Sequence, residues 1–165
     1  MILKKARKPF VKLKFGPNWS YISTVRNFIV NFLAITIEDN KKADLIAMAV
    51  NELIENAIKY SDREGIEISL RFSKNKRTIH AKVINHLKKK EYLFLKKFLR
   101  EMLEEPPLEA YIKRMKAGSL TQSNKSMIGL ARIRHETGAK IKCGYKHGYV
   151  KVTALFPDID IKVTK

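Results

Sequence analysis

Alternation between apolar and polar residues marks the strands of this chain. Five segments place apolar side chains at every second position, the period of a half-buried strand: 10–15, 66–72, 78–84, 140–143 and 149–156. A short polar stretch, 73–77, joins the second and third of these segments. A β-hairpin is therefore predicted there.

Helical periodicity fills the stretches between the strands. The predicted helices cover 20–35, 41–60 and 127–137, together with a helical insert over 87–116 that Pro106-Pro107 interrupts. Ser20 is the candidate N-cap of the first helix, and Gly138 is the left-handed stop of the last. Trp19, beside the first turn, is expected to anchor the first helix. The polar stretch 118–126 is predicted to be a mobile loop.

The order of these elements predicts the fold class. Strand, helix, helix, strand, strand, helical insert, helix, strand and strand follow one another along 165 residues, a length that suits one domain. Such blocks favour an α+β two-layer sandwich, with a mostly antiparallel sheet and helices on one of its faces. We expect a single domain over 1–165, with a lid-like insert over about 87–126.

The composition is globular but strongly basic. Hydrophobic residues make up 45% of the chain, and 34 Lys and Arg against 16 Asp and Glu give a formal net charge of +18. Such a surface attracts polyanions, which include nucleotides, nucleic acid, anionic lipid and acidic proteins. Cys143 is the only cysteine, which excludes an internal disulfide and a cysteine-based zinc site.

No targeting or membrane-spanning segment is visible in the sequence. The longest apolar stretch, Phe28 to Ile37, is interrupted by polar residues. It is too short for the about 20 residues that a membrane span needs. We expect a cytoplasmic protein without a membrane span.

The most informative residues lie on the second predicted helix. At about 100° per residue, Glu52, Asn56 and Lys59 share one strip of its surface, beside a broad apolar arc. They therefore lie at the edge of the buried face, where a cleft can form. An amide oxygen can ligate Mg²⁺, an ammonium can neutralise phosphate, and a carboxylate can orient or deprotonate a hydroxyl. Geometry alone favours the simpler alternative, a solvated surface pair between Glu52 and Lys59.

The pattern Glu-x-x-x-Asn-Ala-x-Lys, from Glu52 to Lys59, resembles the N-box of the GHKL ATPase superfamily. That superfamily includes histidine-kinase ATP-binding domains, type II topoisomerases, mismatch-repair ATPases and anti-sigma-factor serine kinases. Near the C-terminus, Gly129-Leu130 opens a helix in a way that resembles the superfamily's last glycine-containing box. A helix N-terminus with free backbone amides is an anion site. The resemblance covers about 10–156 and implies the Bergerat, or histidine-kinase-like ATPase, fold.

The resemblance also implies roles for individual residues. Asn56 would be the Mg²⁺ ligand, and Glu52 would be the catalytic carboxylate. The nucleotide contacts carried over from the superfamily share a position beside the phosphates: Asn56, Lys59, Ser126, Gly129 and Leu130. The implied cofactors are ATP and Mg²⁺.

The small size of the chain resembles the anti-sigma serine kinases most closely. That resemblance implies a regulator with a protein partner of the sigma-factor or anti-sigma-antagonist type, and phosphoryl transfer to a serine or threonine would be its reaction. The resemblance is also compatible with a homodimer.

The sequence departs from the superfamily at the adenine-binding box. The usual pattern is Asp-x-Gly-x-Gly, whereas this chain has Asn85-His86-Leu87-Lys88-Lys89. The amide oxygen of Asn85 can still accept a hydrogen bond from the adenine amino group. Leu87 and Lys89 replace glycines that would let the backbone lie against the base. This departure argues against a standard adenine pocket.

Two other functions stay open. One is a GHKL-like module that has lost ATP and acts through protein contacts alone. The other is charge-driven binding of nucleic acid, for which residues 1–14 carry six basic side chains and no acidic one. No recognised nucleic-acid motif is present, and acidic residues are concentrated around the second helix.

Overall fold

Five antiparallel strands form one sheet in the computed structural model, which describes residues 10–16, 18–63, 65–120 and 127–162. The strands are β1 (Phe10–Phe15), β2 (Ile66–Ser73), β3 (Thr78–His86), β4 (Lys140–Lys146) and β5 (Tyr149–Phe156). Their order across the sheet is β1-β2-β3-β5-β4. The predicted hairpin is formed by β2 and β3, which pair in register from Glu67 and Ile84 to Ser73 and Thr78.

Helices form the second layer. They are α1 (Ile22–Thr36), α2 (Asn40–Tyr60), α3 (Lys89–Glu104), α4 (Pro107–Leu120) and α5 (Ile128–Thr137), and a 3₁₀ turn (Trp19–Tyr21) precedes α1. The predicted fold class, an α+β two-layer sandwich with an antiparallel sheet, is confirmed. In the described part of the chain, no helix is both long enough and apolar enough to cross a bilayer.

The core lies between the helices and one face of the sheet. One row of paired residues crosses all five strands on this face: Leu13, Ile68, Val83, Val152 and Cys143. The helices contribute buried residues such as Leu33 of α1, Leu53 of α2 and Ile133 of α5. Each fully buried aliphatic side chain contributes about 1.5–3 kcal/mol, so this interface holds α2 and α5 against the sheet.

Within the described residues, the predicted insert contains two packed helices, α3 and α4. Arg134 of α5 donates hydrogen bonds from Nη1 to the carbonyl oxygens of Met102 and Glu105, both at 2.7 Å. Because these carbonyls lie at the end of α3, where intrahelical partners are missing, the arginine links the insert to α5.

Two local predictions were wrong. Ser20 does not cap α1. Instead, Asn18 Oδ1 accepts from Ser20 N at 2.9 Å and caps the 3₁₀ turn. Residues 118–120 belong to α4 and not to a loop, because a single glycine near a helix end costs only about 1 kcal/mol. The remainder of the predicted loop, 121–126, lies outside the described residues.

Candidate functional site

The polar strip predicted on α2 lines a groove. Glu52, Asn56 and Lys59 border a depression of about 560 Å³, and Gly129 of α5 lies on its wall. The geometry follows from the amphipathic pattern of α2, because its buried arc, which includes Leu53 and Ala57, packs on the sheet. The strip next to that arc is left facing the gap between α2 and α5.

Gly129 allows a close approach between the two helices. A Cβ at this position would overlap Oε2 of Glu52 and lie 3.2 Å from its Cδ. Gly129 has no left-handed φ, so the absent side chain provides space for the Glu52 carboxylate and is not required by the backbone conformation. The carboxylate of Glu52 therefore lies against the first turn of α5, where the resemblance places phosphates.

Mixed charges surround Glu52. Partial burial, and next the carboxylate of Glu55, raises the pKa of Glu52 above its ordinary 4.5, while Arg132 and Arg26 act in the opposite direction. Arg132 Nη1 lies 3.9 Å from Glu52 Oε1, and its Nε donates to Glu136 at 3.1 Å. Arg26 forms an ion pair with Glu55. The groove thus offers both a carboxylate that is easier to protonate and a nearby guanidinium.

A smaller apolar hollow adjoins the groove. Its volume is about 50 Å³, and it lies between α2, the sheet, α3 and α5. The wall is formed mainly by aliphatic side chains: Leu53, Ala57, Val83, Leu87, Leu95, Leu130, Val150 and Val152. Asn56, Tyr60 and Met127 border both the groove and the hollow, so the two cavities are adjacent and share part of their walls.

Asn85 is a polar residue in the wall of the hollow. It is 4% exposed, and its Nδ2 donates to the carbonyl oxygen of His86 at 3.0 Å. This bond fixes which end of the amide carries the nitrogen. The adjacent His86 is hydrogen-bonded through Nδ1 to the carboxylate of Asp62, and this hydrogen bond lowers the pKa of Asp62. The end of β3 is thereby held to the chain that follows α2.

The first turn of α5 borders both cavities. Met127 precedes the helix with a left-handed φ of 43°, a conformation that non-glycine residues rarely adopt. The amide of Leu130 donates to the carbonyl oxygen of Met127 at 3.2 Å, and the Leu130 side chain is buried beside the hollow. The amide of Leu130 is therefore engaged within the chain. Ser126 lies outside the described residues.

Several residues that line the groove were not predicted from the sequence. Arg132 and Tyr111 line the groove, but the sequence assigned a role to neither of them. Trp19 also lines it and is 55% exposed, a location that its predicted role as an anchor of α1 did not indicate. Arg132 lies one turn after Gly129 on α5, and this helical spacing was the signal that could have identified it.

Hard oxygen atoms are available for a cation in the groove. The amide oxygen of Asn56 and the carboxylate of Glu52 have the chemistry that Mg²⁺ prefers. In the described residues, no group of three or more His, Cys, Asp or Glu side chains is placed to hold a metal ion. The residues present fit a Mg²⁺ that would take most of its ligands from phosphates and water.

Comparison with known proteins identifies a shared fold. Neither models of protein families nor curated protein sequences match this chain. Among solved structures, a chain in the crystal structure of the SiaB–SiaC complex from Pseudomonas aeruginosa matches with a TM-score of 0.68 at 10% sequence identity. The match covers 88% of this chain and 88% of that chain. The present chain therefore has the same α+β fold as a protein that was crystallised in a complex.

Proposed function

We propose that this protein binds Mg-ATP across the adjacent groove and hollow and regulates a protein partner. The observation that carries this proposal is that three segments distant in sequence line two adjacent cavities. Asn56 of α2 borders both parts, Asn85 of β3 lies in the hollow, and Gly129 of α5 lies on the groove. A polar groove suits a triphosphate, and an apolar hollow suits a base.

At the polar end, Asn56 would hold Mg²⁺ and Lys59 would contact phosphate. Mg²⁺ usually keeps several waters and takes only one or two protein ligands beside the phosphates, so one amide and one nearby carboxylate suffice. Glu52 would orient or deprotonate the attacking hydroxyl or water. Its raised pKa supports this role, because a general base works best when its pKa lies near the working pH.

At the apolar end, Asn85 would recognise the base. Its Nδ2 is engaged with the carbonyl oxygen of His86, so the amide presents Oδ1 as its acceptor for an amino group. This arrangement would provide the hydrogen-bond acceptor for the adenine amino group that an aspartate provides in the superfamily. The hollow of about 50 Å³ is well below the roughly 150 Å³ that accommodates benzene, so binding requires the hollow to widen. Met127 borders it with a flexible, unbranched side chain that can move aside.

The small hollow also favours a second candidate function. Leu87, 4% exposed, occupies the wall where the superfamily has a glycine. If α3 does not move, a purine cannot enter, and the protein would act by protein contact alone. This ATP-free module differs from the first candidate in that it does not bind Mg-ATP.

A protein partner is common to both candidates. The structural neighbour was crystallised as a complex of two proteins, which supports a partner without identifying it. The resemblance favours a partner of the sigma-factor or anti-sigma-antagonist type, and a second copy of the chain remains the alternative. Exposed apolar side chains on α1, Phe28 and Ile35, offer contact surface outside the groove.

Calorimetric titration with Mg-ATP tests nucleotide binding. We expect binding by the wild type, and a loss of about 100-fold or more in Asn56→Ala, since even outer-shell partners of a metal contribute 10–100-fold. Asn51→Ala is the matched control, because Asn51 lies on the same helix but borders a different depression. Absence of binding by the folded wild type would contradict the proposal and favour the ATP-free module.

Phosphate release from ATP tests the role of Glu52 separately. Glu52→Gln should keep Mg-ATP binding but lower the hydrolysis rate by at least about 100-fold, the usual contribution of a general base. Asp44→Asn is the control, because Asp44 lies on the same helix but borders a different depression. Equal rates in wild type and Glu52→Gln would contradict the role of Glu52 without affecting the binding result.

A further inference from the structure

The face of the sheet opposite the helices is strongly basic. Its middle row of paired residues reads Lys12, Ser69, Lys82, Thr153 and Lys142 across the five strands. Neighbouring strands are about 4.8 Å apart. Successive lysines of this row are therefore two strand spacings apart, and a residue with a hydroxyl group lies between them. The row therefore alternates cations and neutral hydrogen-bonding groups over about 19 Å.

The row toward the start of β1 adds rings to the cations. It reads Phe10, Arg71, His80, Leu155 and Lys140. Phe10 is 69% exposed, and Arg71 and His80 are also exposed. A benzyl ring, a guanidinium and an imidazole thus lie side by side on three adjacent strands, and each of these groups can stack on a base.

The row on the other side contains the single carboxylate of this surface. Lys14 is paired with Glu67, and Lys151 lies two strands further across. Glu67 forms an ion pair with Lys12 at 3.0 Å. We call these three rows the basic face. It holds seven Lys or Arg side chains against one carboxylate.

A broad depression crosses the basic face. It has a volume of about 620 Å³ and is lined by Phe10, Ser69, Arg71, His80 and Lys82, among others. Its lining includes two cations, Arg71 and Lys82, which lie on the neighbouring strands β2 and β3, so their like charges repel each other. A ligand with regularly spaced negative charges would relieve that repulsion.

We propose that the basic face binds single-stranded nucleic acid. The lysines of the middle row contact phosphates, and Phe10 and His80 stack on one or two bases. A single strand fits better than a duplex, because the face is a sheet without a helix or ribbon to enter a groove. It also fits better than an acidic protein, because the rings lie among the cations, as in sheet platforms that bind single strands. The inference does not depend on nucleotide binding at the groove, which lies between helices.

Fluorescence anisotropy with a labelled oligouridylate of about 12 nucleotides tests the proposal on the full chain. The variant Lys82→Gln/Lys142→Gln removes two middle-row cations, and Lys41→Gln/Lys90→Gln removes two exposed helix lysines as a control of equal net charge. We expect the Kd of the first variant at low salt to rise at least about 10-fold, and its salt slope to fall by about 1.4, the value for two contacts to a single strand. The control should change Kd less than about 2-fold.

Phe10→Ala provides a second variant that leaves all charges in place. Loss of one stacking contact should weaken oligouridylate binding by about 5-fold or more while the salt slope stays unchanged. Equal weakening in both lysine variants would show unspecific attraction and would overturn the proposal. Binding that does not depend on salt would also overturn it. Polyglutamate binding as tight as oligouridylate binding, together with no effect of Phe10→Ala, would overturn it too and would assign the face to an acidic protein. Thermal melting of each variant verifies that it is folded.

Discussion

Replacement of Gly129 by alanine, alone and together with Glu52→Ala, tests the close packing of α5 on α2. The added Cβ would overlap the carboxylate of Glu52. Because that carboxylate is the end of a flexible side chain, we expect it to rotate away while α5 stays in place. The two substitutions should then depend on each other, although they lie on different helices.

The size of that dependence follows from two opposing contributions. Alanine is favoured over glycine in a helix by up to about 1 kcal/mol, and this gain is smaller near a helix end. Rotating Glu52 away from its preferred rotamer costs about 0.5–1.5 kcal/mol. Gly129→Ala alone should therefore change the free energy of unfolding by less than about 1 kcal/mol. In the Glu52→Ala background nothing obstructs the methyl group, and the same change should stabilise by about 0.5–1 kcal/mol.

Urea unfolding of the four proteins at pH 7 measures the coupling. We expect an interaction energy of about 0.5–1.5 kcal/mol between the two positions, within the range for residues in contact. The m-values should stay constant, since no large surface is gained or lost. Additivity within about 0.3 kcal/mol would refute the packing argument, because it would show that the Glu52 carboxylate does not lie against Gly129.

Three further predictions concern pH and glycine geometry. The pKa of Glu52 is raised above 4.5 in the folded chain, so ionisation of Glu52 lowers the stability of the fold as pH rises through the folded pKa. The urea midpoint of Glu52→Gln should therefore increase relative to that of the wild type from about pH 4 to pH 7. The pKa of Asp62 is lowered below 3.8, so the ionised carboxylate stabilises the fold at neutral pH, and this stabilisation is lost as pH falls through the folded pKa. The melting temperatures of Asp62→Asn and the wild type should therefore converge in acid. A difference between them that stays constant with pH would contradict this. Gly148 has a φ of +84°, and a Cβ added there would lie 2.6 Å from Nε2 of His86. Gly148→Ala should therefore lower the free energy of unfolding in urea by about 1–2 kcal/mol or more. Gly144→Ala on the preceding strand, where the nearest atom is 3.9 Å away, should be neutral or stabilising, and equal losses would refute the argument.

Most of the secondary structure follows from local patterns in the sequence. The second helix was predicted over 41–60 and found as Asn40–Tyr60, because its apolar arc is long and Asp39 caps it by accepting from Lys41 and Lys42. The hairpin was predictable because two alternating segments are joined by a short polar stretch. Capping of the first helix was not predictable. Asn18 and Ser20 are both good acceptors, but Asn18 caps the preceding 3₁₀ turn and no side chain caps α1.

The candidate site was predictable only in part. Helical spacing placed Glu52, Asn56 and Lys59 on one strip, and the structure brings this strip to Gly129. The sequence could not reveal the small volume of the hollow, because volume depends on how α3 packs. Nor could it reveal that the nitrogen of Asn85 is satisfied by a backbone carbonyl. Such properties arise from tertiary contacts that leave no periodic signal.

The lysines on the two outermost strands of the sheet have one more consequence. β1 and β4 end the sheet on either side, and each leaves a row of backbone groups that another polypeptide could pair with. Lys12 and Lys14 on β1, and Lys140, Lys142 and Lys146 on β4, alternate along these borders. A second molecule that added its own β1 or β4 would place ammonium groups beside ammonium groups, and this repulsion disfavours growth into fibrils.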